Sequence, residues 1–328
     1  MLRRLGEQKG RQDLYRKQAP EMLDNLRRVA FIESTESSNR IEGVVIPEAK
    51  RLRQLMADEV KPANRSEAEI AGYRDVLNTI HQNHAQIAYT DRVVLQLHRD
   101  LFKFTAVGGG RWKVTSNEIS ELRPDGTKRI RFQPLAAHLT EDAMRETHDR
   151  YNSLLQAGDW DPLFLVSFYV LDFLCIHPFL DGNGRLARLL SVLALYHTGY
   201  EVGRYVSLER IIENTKQSYY DTLYQSSQGW HEGQHEVWPW TEYFLGTLLA
   251  AYTEFESRVV RVNSGRGTKG ETVRAAVESF LGTFTIQDVE RACPTVSRDM
   301  IRHVLRELRE TGLIEPLGRG RGAKWRKA

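Results

Sequence analysis

The chain has 328 residues, of which 41% are hydrophobic and 27% are charged, and its formal net charge is +3. This composition is typical of a soluble globular protein with room for one large domain and a smaller one. No apolar run approaches the roughly 18 residues that a membrane span needs, and the basic start lacks the apolar stretch of a signal peptide. Two cysteines, Cys175 and Cys293, exclude a disulfide framework and a zinc site made of cysteines alone. We therefore expect a cytoplasmic protein without membrane contact.

Most of the chain up to residue 260 has apolar residues at helical spacing, which predicts an all-α body rather than alternating strands and helices. One helix, 163–176, is almost wholly apolar, and such helices lie buried in a core. Helices are predicted at 20–37, 66–85, 91–104, 139–155, 163–176, 185–197, 219–227 and 238–260.

Residues 107–132 break the helical pattern. They contain GGGRWKVTSNEI and RPDGTKRIRF, and the pair Asp125-Gly126 is a hairpin turn signal between residues that favour strands. The segment predicts a β-hairpin flap that projects from the helical body.

The C-terminal end is basic. Residues 262–328 contain 13 Lys and Arg against 8 Asp and Glu, a net charge of +5. After a Gly-rich segment, 263–270, helices are predicted at 271–281, 286–291 and 296–311, followed by two short strands around a Gly/Arg turn. Three helices and a hairpin indicate a winged helix-turn-helix domain, whose partner is duplex DNA or another protein.

The loop at the end of the apolar helix carries chemistry. In CIHPFLDGNGRLARLL the turn contains Gly182 and Gly184, and a second helix starts near Arg185. Backbone N–H groups at a helix N-terminus suit an anion, and glycines let a phosphate approach closely. Arg185 and Arg188 share one face of the first turn, where positive charges are unfavourable unless an anion is present. The loop predicts a polyphosphate site.

Two further side chains complete the loop. Asp181 would repel a phosphate unless a Mg²⁺ ion lay between them. His177, at the start of the loop, is suited to act as general base toward a hydroxyl. A base, a metal ligand and a phosphate site so close together predict phosphoryl-type transfer.

The segment HPFLDGNGRLAR, 177–188, resembles the motif HPFx(D/E)GNGRxxR of the Fic family at every defined position. The resemblance implies an all-α Fic domain over roughly 14–252 and a protein adenylyltransferase that moves AMP from ATP to a Ser, Thr or Tyr hydroxyl of a target protein. It implies His177 as the base, Asp181 as the Mg²⁺ ligand and Phe179 as an apolar anchor. It also implies phosphate contacts from Gly182, Asn183, Gly184, Arg185 and Arg188.

A second segment, SSNRIEG at 37–43, resembles the inhibitory motif (S/T)xxxE(G/N) of the same family through Ser38, Glu42 and Gly43. The resemblance implies that Glu42 pairs with Arg188 and stops ATP from docking productively. Independently of it, Ser38 and Glu42 are four residues apart and share a helix face, and Gly43 can end that helix.

Two weaker resemblances concern the substrates. The flap is similar to the Fic segment that aligns a target peptide as an added strand. Tyr219 and Tyr220 stand where the family often has a tyrosine pair beside adenine, but Ser227 replaces an Asn found in some members. A helix that only packs on the core explains the tyrosines equally well.

Four regions follow: an N-terminal helical region with the inhibitory motif at 1–60, a Fic catalytic core at 61–260, a linker at 261–270 and a winged helix-turn-helix at 271–328. Two other functions stay open. One is the reverse reaction, hydrolytic removal of AMP with Glu42 activating water. The other is a DNA-binding regulator whose Fic domain senses nucleotide, although sensing needs no base. Because Fic proteins often self-associate, a homo-oligomer is also an expectation.

Overall fold

The computed structural model describes residues 1–18, 20–122, 127–263, 269–280, 283–293, 296–318 and 323–327. Up to residue 263 the body is built from helices, as predicted from the sequence. They are α1 Leu2–Gln18, α2 Pro20–Ile41, α3 Ala49–Met56, α4 Arg65–Asn83, α5 Asp91–Leu101, α6 Thr140–Ala157, α7 Pro162–Ile176, α8 Asn183–His197, α9 Leu208–Asn214, α10 Lys216–Ser227 and α11 Trp238–Asn263. Short 3₁₀ turns lie at His84–Gln86, Ala137–Leu139 and Val202–Arg204.

Three of these helices, α1, α3 and α9, were not predicted. α1 is polar and contains two glycines, and it is held by tertiary contacts that its own pattern does not show. Leu5 is fully buried, and Gln12 accepts a hydrogen bond from the Tyr252 hydroxyl of α11 at 2.9 Å. α3 and α9 are each less than three turns long, too short for periodicity to identify.

The two central helices are α7 and α8. Asp161 caps α7 by accepting a hydrogen bond from the Leu163 backbone, and Pro162 occupies its first turn, where the missing N–H costs nothing. The helix is apolar on nearly every side because α6, α8, α10 and α11 all pack against it. The core formed by these helices fixes both ends of the loop at 177–182.

The flap is an antiparallel pair, β1 Ile119–Leu122 with β2 Lys128–Phe132, and its register shifts between Ile119 and Ser120. The predicted Asp125-Gly126 turn lies outside the described residues. The GGGRWKVT part of the segment forms no strand and instead runs along the loop at 177–182. The all-α body with a projecting hairpin is therefore confirmed.

The C-terminal part has its own core. Helices α12 Lys269–Ser279, α13 Ile286–Ala292 and α14 Arg298–Glu310 pack with strands β3 Phe284–Thr285, β4 Ile314–Pro316 and β5 Lys324–Lys327, in the order β3-β5-β4. The strand β3 was not predicted. The Gly/Arg turn predicted between the two terminal strands includes residues 319–322, which lie outside the described residues, as do residues 264–268. Both ends of the predicted 261–270 linker are helical, because α11 continues to Asn263 and α12 begins at Lys269.

Within the described part of the chain, no helix has both the length and the apolar character needed to cross a bilayer.

A buried polar chain joins three helices of the body. The His148 Nδ1–H donates to Asp91 at 2.7 Å, and the Tyr169 hydroxyl donates to His148 Nε2 at 2.9 Å. Burial lowers the pKa of His148 although Asp91 opposes it, so the ring is neutral with one donor and one acceptor. Hydrogen bonds thus join α5, α6 and α7. They are directional, which a hydrophobic contact between the same helices would not be.

We expect His148→Leu to destabilise the chain by about 1–3 kcal/mol, since the buried Tyr169 hydroxyl would lose its acceptor. Adding Tyr169→Phe removes that hydroxyl, so the double variant should be less destabilised than the sum of the two single variants. Urea denaturation of the wild type, both single variants and the double variant measures this coupling. If the two single losses in the free energy of unfolding simply add in the double variant, His148 and Tyr169 are not energetically coupled.

Candidate functional site

His177 ends α7 in an unusual backbone conformation. Its φ is 52°, a left-handed geometry that costs a non-glycine residue roughly 1–2 kcal/mol. Its backbone N–H donates to Phe173 O at 2.9 Å, and its Nδ1–H donates to Leu174 O at 3.2 Å. Because a carbonyl only accepts, the ring proton is on Nδ1 and the lone pair is on Nε2.

Burial lowers the pKa of His177 to about 4, although its bond to Leu174 opposes the shift, and the Lys113 ammonium lowers it further. The imidazole is therefore neutral over the physiological range and can accept a proton at Nε2. This is the state that a general base needs.

Phe179 and Asn183 close the loop on itself. The Asn183 Nδ2 donates to Phe179 O at 2.7 Å, and the Phe179 N–H donates to Asn183 Oδ1 at 2.9 Å. The Phe179 ring is fully buried and stacks on His98 with ring centroids 3.6 Å apart. Asn183 thus shapes the loop, and Phe179 anchors it in the core.

Asp181 lies at the mouth of the site with 54% of its side chain exposed. It accepts from the Gly182 N–H at 2.6 Å and faces Arg65 at 3.2 Å and Arg185 at 3.5 Å. Gly182 has φ 81°, and a Cβ on it would lie 2.7 Å from the Phe102 ring. The glycine is needed there for both conformation and space.

Arg185 is almost fully buried at 2% exposure. Its Nη1 donates to Glu69 of α4 at 2.6 Å and to Asn39 of α2 at 3.5 Å. Glu69 also accepts from Arg65 at 2.6 Å. Arg185 Nε has no hydrogen-bond partner among the described residues.

Arg188 is similarly buried, and its hydrogen-bond partners among the described residues all lie at the end of α2. Its Nε donates to Ser38 Oγ at 2.8 Å, and its Nη2 donates to Ser38 O at 2.9 Å and to Glu42 Oε1 at 2.8 Å. Burial raises the pKa of the Glu42 carboxyl, but Arg188 outweighs it and the net pKa is lowered. The opposite charge of Glu42 likewise raises the pKa of Arg188 against the effect of burial. The pair is ionised.

Glu42 is held in place by its backbone. Gly43 has φ 81°, its N–H donates to Arg40 O at 3.0 Å, and the Val44 N–H donates to Asn39 O at 2.9 Å. These two bonds form a Schellman motif that ends α2 at a fixed point. Lys216 adds a third bond by donating to Ile41 O at 2.7 Å.

The Glu42 carboxylate also lies over the N-terminus of α8. A Cβ built on Gly184 would be 2.3 Å from Glu42 Oε1 and 3.4 Å from Arg188 Nη1. Arg188 Nη1 is buried and has no hydrogen-bond partner in the described part of the chain. A carboxylate therefore lies beside the glycine and the arginine that the sequence assigns to phosphate.

The two predicted adenine-side tyrosines differ in environment. Tyr219 is 3% exposed and packs edge-on against Trp240 and Tyr243. Tyr220 is only partly buried, and burial raises its pKa to about 12. Tyr219 and Arg188 also line a small cavity of about 30 Å³, which is enough for one or two waters. Tyr219 is therefore a core residue in this structure, whereas Tyr220 is partly exposed.

Several residues of the site were missed by sequence reasoning. They lie in α4, in α5 and at the base of the flap, and contact the loop from outside the motif: Arg65, Glu69, His98, Lys113 and Asn117. The signal for Arg65 and Glu69 was their four-residue spacing. Nothing local marks the other three.

Three comparisons bear on this site. A family model described as Fic/DOC family matches residues 88–195. A Fido domain-containing protein of Dictyostelium discoideum is 32% identical over 66 residues, and the match spans 20% of this chain and 46% of that protein. The chain thus covers about half the length of that relative.

Solved structures share the fold. A Fic family protein from Desulfovibrio desulfuricans is 21% identical with a TM-score of 0.61, covering 100% of this chain and 94% of the other. Fic-1 of C. elegans is 20% identical with a TM-score of 0.60, covering 79% and 71%. The family model identifies a Fic/DOC domain in residues 88–195, which end inside α8. The solved structures show that the chain shares the fold of these Fic proteins.

Proposed function

We propose that this protein is an adenylyltransferase that moves AMP from ATP to a hydroxyl of a target protein, and that Glu42 holds it in a restrained state. Fic domains generally transfer nucleoside monophosphates, and the proposal specifies the group and the acceptor. The observation that carries it is the position of Glu42, bound to Arg188 at 2.8 Å and lying against Gly184. An internal anion on a phosphate-binding helix end is what an inhibitor of nucleotide docking requires.

The chemistry follows from the neutral His177. The target hydroxyl gives its proton to Nε2 of His177, while its oxygen attacks the α-phosphorus of ATP. The bond from that phosphorus to the bridging oxygen breaks, and pyrophosphate leaves. The Nδ1–H bond to Leu174 O keeps the ring in the accepting tautomer throughout, and the imidazolium then returns its proton to solvent.

The charges that the reaction develops lie on phosphate oxygens. Gly184 and the first turn of α8 offer backbone N–H groups, and Arg185 and Arg188 offer buried guanidinium groups, which together stabilise such charge. Arg185 stays in position because Glu69 fixes it from α4. Arg188 needs a new partner when Glu42 withdraws.

Asp181 fits a Mg²⁺ ion that takes the rest of its ligands from ATP. In the described residues no group of three or more His, Cys, Asp or Glu side chains could hold a metal ion by itself. Mg²⁺ commonly binds one or two carboxylates together with phosphate oxygens and water, and Asp181 is a half-exposed carboxylate beside the phosphate site. When bound, the ion would neutralise phosphate charge and orient the leaving group.

Hydrolytic removal of AMP is the second candidate, because an ionised Glu42 beside the anion site could also activate a water. Incubation of the wild type with an AMP-modified target and analysis of released AMP separates the two directions. A protein that only senses nucleotide would have no use for a neutral, oriented His177, because nucleotide binding alone needs no base.

We expect Glu42→Gly to raise transfer by about 10- to 100-fold. A charge-assisted bond of this kind contributes about 1.5–3 kcal/mol, and every 1.4 kcal/mol is tenfold. Glu42→Gln should give a smaller gain, because the amide keeps the shape but loses the charge. Label transfer from ATP labelled at the α-phosphate, in cell lysate, measures this, and equal labelling by wild type and Glu42→Gly would contradict it.

Two double variants serve as controls. Glu42→Gly with His177→Ala should bind ATP but transfer at least 100-fold less, which is the usual loss of a general base. Glu42→Gly with Arg188→Ala should lose both binding and transfer, because the arginine released from Glu42 is itself the phosphate ligand.

Transfer by Glu42→Gly should require Mg²⁺ or Mn²⁺, and a further Asp181→Ala change should abolish it. The reason is that a carboxylate among phosphate groups repels them unless a cation intervenes. Asp142→Ala, which removes an exposed carboxylate of α6, is the matched control and should keep its activity. Transfer that persists in excess chelator would rule out the metal-ligand role.

We also propose duplex DNA as a partner of the C-terminal part. The buried face of α14 consists of Ile301, Val304, Leu305 and Leu308, so the opposite face presents the exposed arginines Arg302, Arg306 and Arg309. This row of exposed arginines is better suited to contact the phosphates along a DNA groove than to pack against the core of a protein.

DNA binding by the full-length chain should weaken with salt, because each phosphate contact releases counterions. Arg302→Glu with Arg306→Glu should lower the slope of log affinity against log salt by about two. The control, Arg3→Glu with Arg28→Glu, changes two exposed arginines of the body and should bind normally. Fluorescence anisotropy measures both, and no binding at low salt would favour a protein partner.

A further inference from the structure

Four consecutive carbonyls of the loop are bound by two residues at the base of the flap. The Lys113 Nζ donates to Ile176 O at 2.8 Å, and the Lys113 backbone N–H donates to Pro178 O at 2.8 Å. Asn117 Nδ2 donates to Phe179 O at 2.9 Å and, more weakly, to His177 O at 3.5 Å. Lys113 therefore binds the carbonyls of the two residues that flank His177.

Lys113 is buried for a lysine. It is 3% exposed, its Nζ also donates to Asn117 Oδ1 at 3.0 Å, and no carboxylate of the described residues lies within ion-pair distance of it. Lysine is rarely buried without a charged partner. Here its charge lies at the C-terminal end of α7, where the helix dipole favours a cation.

The bonds at this helix end account for all four terminal carbonyls of α7. Phe173 O and Leu174 O accept from the His177 N–H and Nδ1–H, Cys175 O accepts from the Leu135 N–H at 3.4 Å, and Ile176 O accepts from Lys113. The bond from the His177 N–H continues the helical pattern, whereas the bond from Nδ1 depends on the orientation of the ring. The bonds from Lys113 hold the left-handed backbone conformation of His177, which otherwise costs a non-glycine residue energy.

We propose that Lys113 is a positioning residue for the base: by binding the carbonyls of Ile176 and Pro178 it fixes the backbone of His177 and so the direction of Nε2. This rests on the proposed transfer reaction. Lys113 does not touch the reacting atoms and acts through His177. Its ammonium, with Glu42 and Asp181, is also one of the charged groups that set the electrostatic environment of the imidazole.

The test compares three variants in the Glu42→Gly background. Lys113→Gln keeps a hydrogen-bond donor and loses the charge, Lys113→Met loses both, and Lys113→Arg keeps both in a larger group. Lys103→Gln is the matched control, because it removes one lysine charge at an exposed position just after α5. Thermal unfolding and ATP binding show which variants are folded.

We expect Lys113→Met to lower kcat about 10- to 100-fold while KM for ATP changes little, since a small misplacement of a catalytic group costs rate rather than binding. Lys113→Arg should recover part of the rate. The acid limb of the pH profile should move to higher pH in Lys113→Gln and Lys113→Met, because a neutral neighbour no longer disfavours the imidazolium. Lys103→Gln should change neither.

A second readout does not depend on catalysis. ¹⁵N spectra of the His177 ring report its tautomer and its titration in the same variants with wild-type Glu42. Loss of the Nδ1–H tautomer in Lys113→Met would support the proposal even if the chain transferred no AMP. Unchanged kcat and an unchanged His177 spectrum in folded Lys113→Met and Lys113→Gln would overturn it. A raised KM for ATP with normal kcat would do so too, because it would place Lys113 on the nucleotide.

Discussion

Two guanidinium groups buried at the positive end of a helix are the constraint around which this structure is arranged. Arg185 and Arg188 are 2% and 4% exposed in the first two turns of α8, near the helix end whose dipole repels cations, and their burial keeps water from screening them. Each must be matched by an anion. Glu69 from α4 supplies it permanently for Arg185, and Glu42 from the end of α2 supplies it for Arg188. The packing of α2 and α4 against α8 follows from this requirement as much as from apolar contact.

Glu69 and Glu42 differ in how firmly they are enclosed, because they lie at different places in the fold. Glu69 lies in the second turn of α4 and is 3% exposed. Its removal would leave the buried Arg185 with only the half-exposed Asp181, at 3.5 Å, as an anionic partner. Glu42 is the C-cap residue of α2 and keeps 32% of its side chain exposed, so it is less enclosed than Glu69. An arginine that is buried against one anion is suited to exchange that anion for a phosphate, because the arginine is already desolvated when the phosphate arrives.

The sequence was sufficient for the parts of the site that are local. The spacing of Ser38 and Glu42 placed both on one helix face, and the glycines of the loop marked a helix N-terminus open to an anion. It was not sufficient for contacts made across the fold. Lys113, Asn117 and His98 lie 60 or more residues before the carbonyls they bind, and nothing in their neighbourhoods distinguishes them from surface residues. The helices that were missed, α1, α3 and α9, are likewise short or polar and exist because of what they pack against. Tyr219 is buried in the core, and its place beside adenine stays a prediction.

In the proposed mechanism Arg188 is both the partner of the inhibitory Glu42 and a ligand of the nucleotide. This restricts how the inhibition can be relieved. Under the proposed function Arg188 is a phosphate ligand, so a change there would remove that ligand together with the inhibitory contact, and control has to act on the end of α2. That end is fixed by the Schellman bonds of Gly43 and Val44, by Lys216, and by Val44 and Ile46, which pack with α3 and α4. A ligand shifts a two-state equilibrium only by its difference in affinity for the two states. In the proposed mechanism, ATP must therefore gain more from Arg188 and the N-terminus of α8 than Glu42 loses by leaving them. Anything that loosens the turn after α2 lowers that threshold without contacting the nucleotide.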